Sequence, residues 1–152
     1  MIEYYLTNCR DTVERYAIEV ERVAQEVLSL FAENLHLETD YFKNKFGSEP
    51  MNMMRMNFYP SCPTPDLVLG LSPHSDGGGI TLLLQDDQTE GLHVRKNNQW
   101  VPVRPIPYAL VVNIGDLVEV SIPSATLGCS FQQQLIINVV TCVDFCLSLC
   151  CR

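Results

Sequence analysis

The feature that most narrows what this chain can fold into is a switch in hydrophobic period at Met51. Upstream, Val13, Tyr16, Ala17, Val20, Val23, Val27, Leu28, Phe31 and Leu35 recur in steps of three and four, which lines up one face of an α-helix. Downstream the period is two, in strand-like runs at 53–59, 67–72, 80–84, 91–95, 99–103 and 109–114. Turn chemistry separates the runs: Pro60-Ser61-Cys62-Pro63-Thr64-Pro65, Gly77-Gly78-Gly79, Asp86-Asp87, Asn97-Asn98 and Gly115-Asp116. No helical stretch lies between these strands, which disfavours a parallel α/β sheet and points to an antiparallel sandwich or barrel behind an N-terminal α-helix. At 152 residues the chain is long enough for one sizeable core and short for two.

The helix is expected over 11–35, with Asp11 and Glu14 forming a capping box at its start. A short second helix follows Thr39 and runs to about Phe46, ended by Gly47 and Pro50. Trp100, a lone aromatic in a strand, reads as core rather than as a substrate wall.

Composition breaks at Ser121. Five of the seven cysteines (Cys129, Cys142, Cys146, Cys150, Cys151) fall in the final stretch, where Asp144 and Arg152 are the only charged residues. An odd total with no Cys-x-x-Cys pair argues for reduced thiols rather than a disulfide framework. Cys142 and Cys146 are four apart on a possible helix, but no histidine follows to complete a zinc set. The tail reads as a buried strand or helix, and Leu135-Ile136-Ile137 with Val139-Val140 is a candidate replacement strand.

Eighteen acidic against ten basic residues leave a net charge of -8, which argues against a nucleic-acid partner that needs a basic stripe. No apolar run is long and clean enough for a membrane span, and MIEYYLTNCR lacks the layout of a secretory signal. A cytoplasmic location is the expectation.

The first constellation with chemistry is His74-Ser75-Asp76. On an extended segment residues i and i+2 face the same way, so an imidazole and a carboxylate converge. A two-histidine, one-carboxylate set holds Fe(II) in this manner and leaves positions open; the same spacing also suits a surface pair or a turn. Asn57 and Tyr59 stand at i, i+2 in MMRMNFYP and place an amide and a phenol on one face, either outward or lining the same cavity. The three glycines lack the lysine and spacing of a phosphate loop and read as a turn.

With these blocks in order, the stretch RMNFYPSCPTPDLVLGLSPHSDGGGITLLLQDDQTEGLHVRKNNQWVPVRPIPYALVVNIGD resembles the catalytic domain of plant 2-oxoglutarate- and Fe(II)-dependent dioxygenases, the family of flavonoid, hormone and alkaloid oxygenases. RDTVERYAIEVERVAQEVLSLFAENLHLETDYFKNKFG is similar to the long helix that precedes that domain. The resemblance implies a mainly β fold with an N-terminal α-helix, built as a partial, cupin-like double-stranded β-helix or jelly-roll. It divides the chain into a helical segment at 1–50, a partial jelly-roll at 51–120 and a divergent tail at 121–152. It implies His74 and Asp76 as iron ligands and Asn57 and Tyr59 as contacts to 2-oxoglutarate. The implied reaction uses dioxygen to decarboxylate 2-oxoglutarate to succinate and carbon dioxide while hydroxylating or desaturating a small molecule.

The chain also departs from the family. The third ligand, a second histidine, and the Arg-x-Ser that binds the distal carboxylate of 2-oxoglutarate are both absent: His93 is the last histidine, and only Arg152 follows Arg104. His93 lies where the family has a non-ligand residue and is expected on the surface or a cavity wall. Asn113-Ile114-Gly115-Asp116 reads as a tight turn in which Asp116 binds amides. The chain therefore reads as a family member truncated at both ends and catalytically impaired, with a non-catalytic relative that at most binds metal or a partner chain as the alternative.

Overall fold

The computed structural model describes residues 2–47, 50–122, 135–138 and 142–150. The first helix, α1, spans Ile2–Asn34. It starts well before the expected capping box, because nothing between Ile2 and Arg10 is glycine or proline and the helical pattern simply continues. Asp11 is an exposed interior position, and Glu14 instead accepts a hydrogen bond from Arg10 Nε at 2.7 Å. Buried Val20, Ala24, Leu28 and Ala32 recur every four residues along the inward line. The two alanines, too small to register as apolar markers, let the helix axis approach the layer beneath it.

α1 ends with His36 in the left-handed region (φ 57°) and the Leu37 amide donating to the Ala32 carbonyl at 3.0 Å. This is a Schellman-type stop made without glycine. The second helix, α2 (Tyr41–Phe46), buries Phe42 and Phe46, with Phe42 stacked 5.9 Å from Phe31.

Six strands follow where the period of two places them: β1 Met51–Tyr59, β2 Leu69–His74, β3 Ile80–Leu84, β4 Leu92–Lys96, β5 Gln99–Pro102 and β6 Leu110–Ile114. Next comes a short helix, α3 (Asp116–Ser121), where a tight turn was expected. Two further strands, β7 Leu135–Asn138 and β8 Cys142–Cys150, come from the tail. They form two four-stranded sheets, in the orders β1-β8-β3-β6 and β2-β7-β4-β5, and the paired strands are antiparallel. The tail thus adds a central strand to each sheet. The candidate replacement strand is met by β7 at Leu135–Ile137, while Val139 and Val140 lie outside the described residues. Cys142 and Cys146 sit on a strand, not on a helix.

Alternation along β3 sorts the packing. Ile80 and Leu82 join Met54, Leu110 and Ile114 beneath α1 and α2 in a core that also takes Val118 and Ile122. Leu83 turns the other way and meets Leu92, with Tyr59, Leu71, Val94, Val103 and Val111 around them, between the two sheets. Phe42, Ile80, Leu82 and Val118 are fully buried, each contributing about 1.5–3 kcal/mol of hydrophobic stabilisation. Asn97 and Asn98 carry positive φ (51° and 62°) in the two-residue turn of the β4–β5 hairpin, the geometry that matches strand twist. Trp100, expected in the core, is 37% exposed, because β5 is an edge strand and pairs it with Arg95. Among the described residues no helix is long and apolar enough to cross a membrane.

Since His36 holds a left-handed conformation that costs a non-glycine residue about 1 kcal/mol, His36→Gly is expected to raise stability by about 0.5 kcal/mol, measured as a higher urea midpoint at unchanged slope.

Candidate functional site

His74 is the last residue of β2, and β2 reaches it irregularly. Its pairing with β7 slips between Leu69 and Leu71 and again between Leu71 and His74, and Pro73 has no amide hydrogen to contribute. Such irregularities bend a strand and re-aim its side chains. The imidazole is anchored by Nδ1, which lies 2.8 Å from the Ser72 carbonyl oxygen. With the proton on Nδ1 as the donor, Nε2 carries the free lone pair, the arrangement typical of a metal-binding histidine.

Nε2 is 3.7 Å from Asp76 Oδ1, too far for a hydrogen bond but close enough for both to address one cation. The His74 and Asp76 side chains are 36% and 18% exposed. Asp76 Oδ2 is buried and has no hydrogen-bond partner among the described residues. A buried carboxylate oxygen without a donor costs about 1–3 kcal/mol or more unless a ligand completes it.

What holds this loop is the start of α3. The amides of Gly115, Asp116 and Leu117 donate to the carbonyls of Gly79, Asp76 and Gly78 at 2.9, 2.8 and 3.1 Å. The Asp116 carboxylate accepts from the Ser75 hydroxyl at 3.0 Å, so its partner is a side chain between His74 and Asp76 rather than the turn amides expected for it. The approach of backbones is tight: a Cβ on Gly115 stands 2.1 Å from the Gly78 oxygen, whereas one on Gly77 meets nothing within 4 Å among the described residues. The sequence signals a turn at Gly115 but not its partner, since the close contact joins segments 36 residues or more apart.

On β1, Asn57 and Tyr59 share a face and are both half-buried. Tyr59 belongs to the cluster between the sheets with Leu71, three residues before His74. Asn57, two residues before Tyr59 on the same strand, therefore shares its inner side. His93 lies between Leu92 and Val94, which both face that cluster, so alternation carries His93 to the opposite face, away from His74 and Asp76. Among the described residues no group of three or more His, Cys, Asp or Glu is placed to hold a metal ion. A groove of about 640 Å³ between α1 and α2, lined in part by Glu21, Arg22 and Lys43, includes none of these residues.

Residues 50–125 match the model of the 2OG-Fe(II) oxygenase superfamily. The chain belongs to this superfamily. It is 42% identical to jasmonate-induced oxygenase 2 of Arabidopsis thaliana over 130 residues, which is 85% of this chain and 34% of that protein. It is 46% identical to 1-aminocyclopropane-1-carboxylate oxidase 1 of Malus domestica over 113 residues, 73% of this chain and 36% of that one. The crystal structure of JOX2 in complex with 2OG, Fe and JA superposes with a TM-score of 0.86 at 37% identity, over 94% of this chain and 42% of that chain. AtDAO1, the dioxygenase for auxin oxidation 1 of Arabidopsis thaliana, bound to 2-oxoglutarate, gives 0.75 at 25% identity, over 91% and 51%. The chain spans about a third of the length of the curated relatives it matches. Helices followed by strands in two sheets are the arrangement typical of this oxygenase superfamily, whose members are oxidoreductases that use Fe(II) and 2-oxoglutarate.

The donors present fit an Fe(II) ion at two positions: a neutral imidazole nitrogen with its tautomer set by a carbonyl, and a carboxylate oxygen without another partner. Gly115→Ala is expected to destabilise this superfamily member by about 3 kcal/mol, and Gly77→Ala by less than about 0.5 kcal/mol, as read from urea denaturation of the two variants side by side.

Proposed function

We propose that this chain carries the metal-binding half of a 2-oxoglutarate- and Fe(II)-dependent dioxygenase of small metabolites, with His74 and Asp76 as two ligands and Asn57 and Tyr59 facing the co-substrate. The observation that carries this reading is the unpartnered, buried Oδ2 of Asp76 beside an imidazole whose Nδ1 is already engaged. The paired strand orders support a double-stranded β-helix around that site. Fe(II), when bound, supplies the redox chemistry that couples decarboxylation of 2-oxoglutarate to oxidation of a substrate by dioxygen.

The chain's own part is positional. The Ser72 carbonyl fixes the imidazole tautomer, Asp76 offsets cation charge, and the α3 amides with the Ser75–Asp116 bond keep the loop from relaxing. Leu83, Leu92 and their neighbours keep water from the space between the sheets. A second reading, a non-catalytic relative that binds metal without turnover, is favoured by the lack of a third candidate ligand among the described residues.

Titration of the purified chain with Co(II), read by its visible spectrum, is expected to show one site that Asp76→Ala weakens at least about ten-fold. A titration indifferent to that substitution sinks the ligand assignment. Succinate formation from 2-oxoglutarate with Fe(II) then separates the two readings: turnover abolished by Asp76→Ala supports the dioxygenase, and metal binding without succinate supports the non-catalytic relative.

A further inference from the structure

The apolar space between the sheets is interrupted at one end by two polar side chains. Along β3, Ile80 and Leu82 lie on the helix side and Leu83 on the inner side, so alternation puts Thr81 on the inner face. Along β6, Val111 belongs to the inner cluster and Leu110 and Ile114 to the helix side, so Asn113 is on the inner face as well. Thr81 and Asn113 are direct partners in the β3–β6 register, and such partners are neighbours on one face. Each is only 4% exposed, and among the described residues no other polar or charged residue is as buried.

Their place along the strands sets them beside the site. Gly79 lies two residues before Thr81 and Gly115 two residues after Asn113, and the Gly115 amide donates to the Gly79 carbonyl at 2.9 Å. The loop that carries Asp76 runs from β2 in the second sheet to β3 in the first, so it closes this end of the space between them. Thr81 and Asn113 form the next inward row, about 7 Å along the strands from the Gly79–Gly115 contact. Leu83 and Val111 form the row after that and begin the apolar cluster. A buried hydroxyl and a buried carboxamide are costly to desolvate and add nothing to apolar packing. At the same end Asp76 Oδ2 is buried with no hydrogen-bond partner among the described residues.

We propose that Thr81 and Asn113 orient a 2-oxo acid on the metal held by His74 and Asp76, the hydroxyl and the carboxamide N–H each donating to an oxygen of the acid. The inference rests on the metal assignment proposed above and adds two ligand-contact residues to it. It also separates this role from a structural one. A hydroxyl that serves the fold is missed by the free protein when it is removed, whereas one kept for a ligand is missed only by the complex.

Thr81→Val keeps the side-chain shape and removes the hydroxyl, and Asn113→Leu does the same for the carboxamide. Urea denaturation of the metal-free full chain is set beside titration of the Co(II)-loaded chain with 2-oxoglutarate, followed in the visible spectrum. In Thr81→Val the urea midpoint is expected to stay the same or rise, while the dissociation constant for 2-oxoglutarate rises about ten-fold. Asn113→Leu is expected to weaken the acid by a similar factor, and Thr81→Ser to recover most of the affinity lost in Thr81→Val. If Asn113→Leu does not fold, the two Thr81 variants carry the test. An unchanged dissociation constant in Thr81→Val overturns the proposal, and a lowered urea midpoint does so too by assigning the hydroxyl to the fold. No recovery in Thr81→Ser, or a wild-type Co(II) spectrum indifferent to 2-oxoglutarate, also overturns it. No Co(II) signal at all overturns the metal assignment and this inference together, so the two failures are told apart.

Discussion

Three backbone hydrogen bonds tie the chemistry of this molecule to its core: those from the amides of Gly115, Asp116 and Leu117 to the loop carbonyls of Gly79, Asp76 and Gly78. The loop that presents Asp76 has little packing of its own at Gly77. Its position is inherited from α3, and α3 in turn is fixed by Val118 and Ile122, buried in the core beneath α1 and α2. The Tyr41 hydroxyl donating to the Ser121 carbonyl at 2.6 Å joins α2 to the same helix. Side-chain position at the site is therefore a consequence of apolar burial several residues away, transmitted through amides that cannot shift without losing their partners.

The first sheet serves two functions by virtue of the pleat. Its outer face, with Ile80, Leu82 and Met54, is covered by the helices. Its inner face, with Leu83 and Tyr59, meets Leu92 and Val94 of the second sheet. Substituting one residue in such a strand acts on one layer only, which separates stability from site geometry: Leu82 belongs to the first and Tyr59 to the second. By contrast, the exposed ion pairs of α1, Arg22 with Glu19 and Glu26, are held in high dielectric and matter little to either.

Much of the fold was legible in local pattern. The change of period at Met51 located both helices and six strands, because alternating burial leaves a direct imprint on sequence. The start of α1 was misread, since a capping motif has no force where the preceding residues are themselves helix-compatible. Trp100 was misread for a different reason: edge or centre is a property of strand order, which no window of sequence contains. The closeness of His74 and Asp76 was legible from their spacing, and the resemblance of the surrounding blocks is what suggests metal chemistry for the pair. The anchoring role of Gly115 was not, because it depends on the backbone of Gly78 lying against it.

Sequence alone determined the order and kind of the elements from α1 to β6, the histidine and aspartate two apart on β2 and its loop, and the absence of a later histidine or Arg-x-Ser. Those properties are local: periodicity, turn chemistry and residue identity survive without any knowledge of the partners. Tertiary structure decided that the cysteine-rich tail supplies the central strands β7 and β8. It also decided that Asp144 stands opposite Asn57 and that His93 is turned from the site. Each of these is a matter of register or strand order, where a shift of one residue reverses the face a side chain occupies, and register is set by the whole sheet rather than by any one strand.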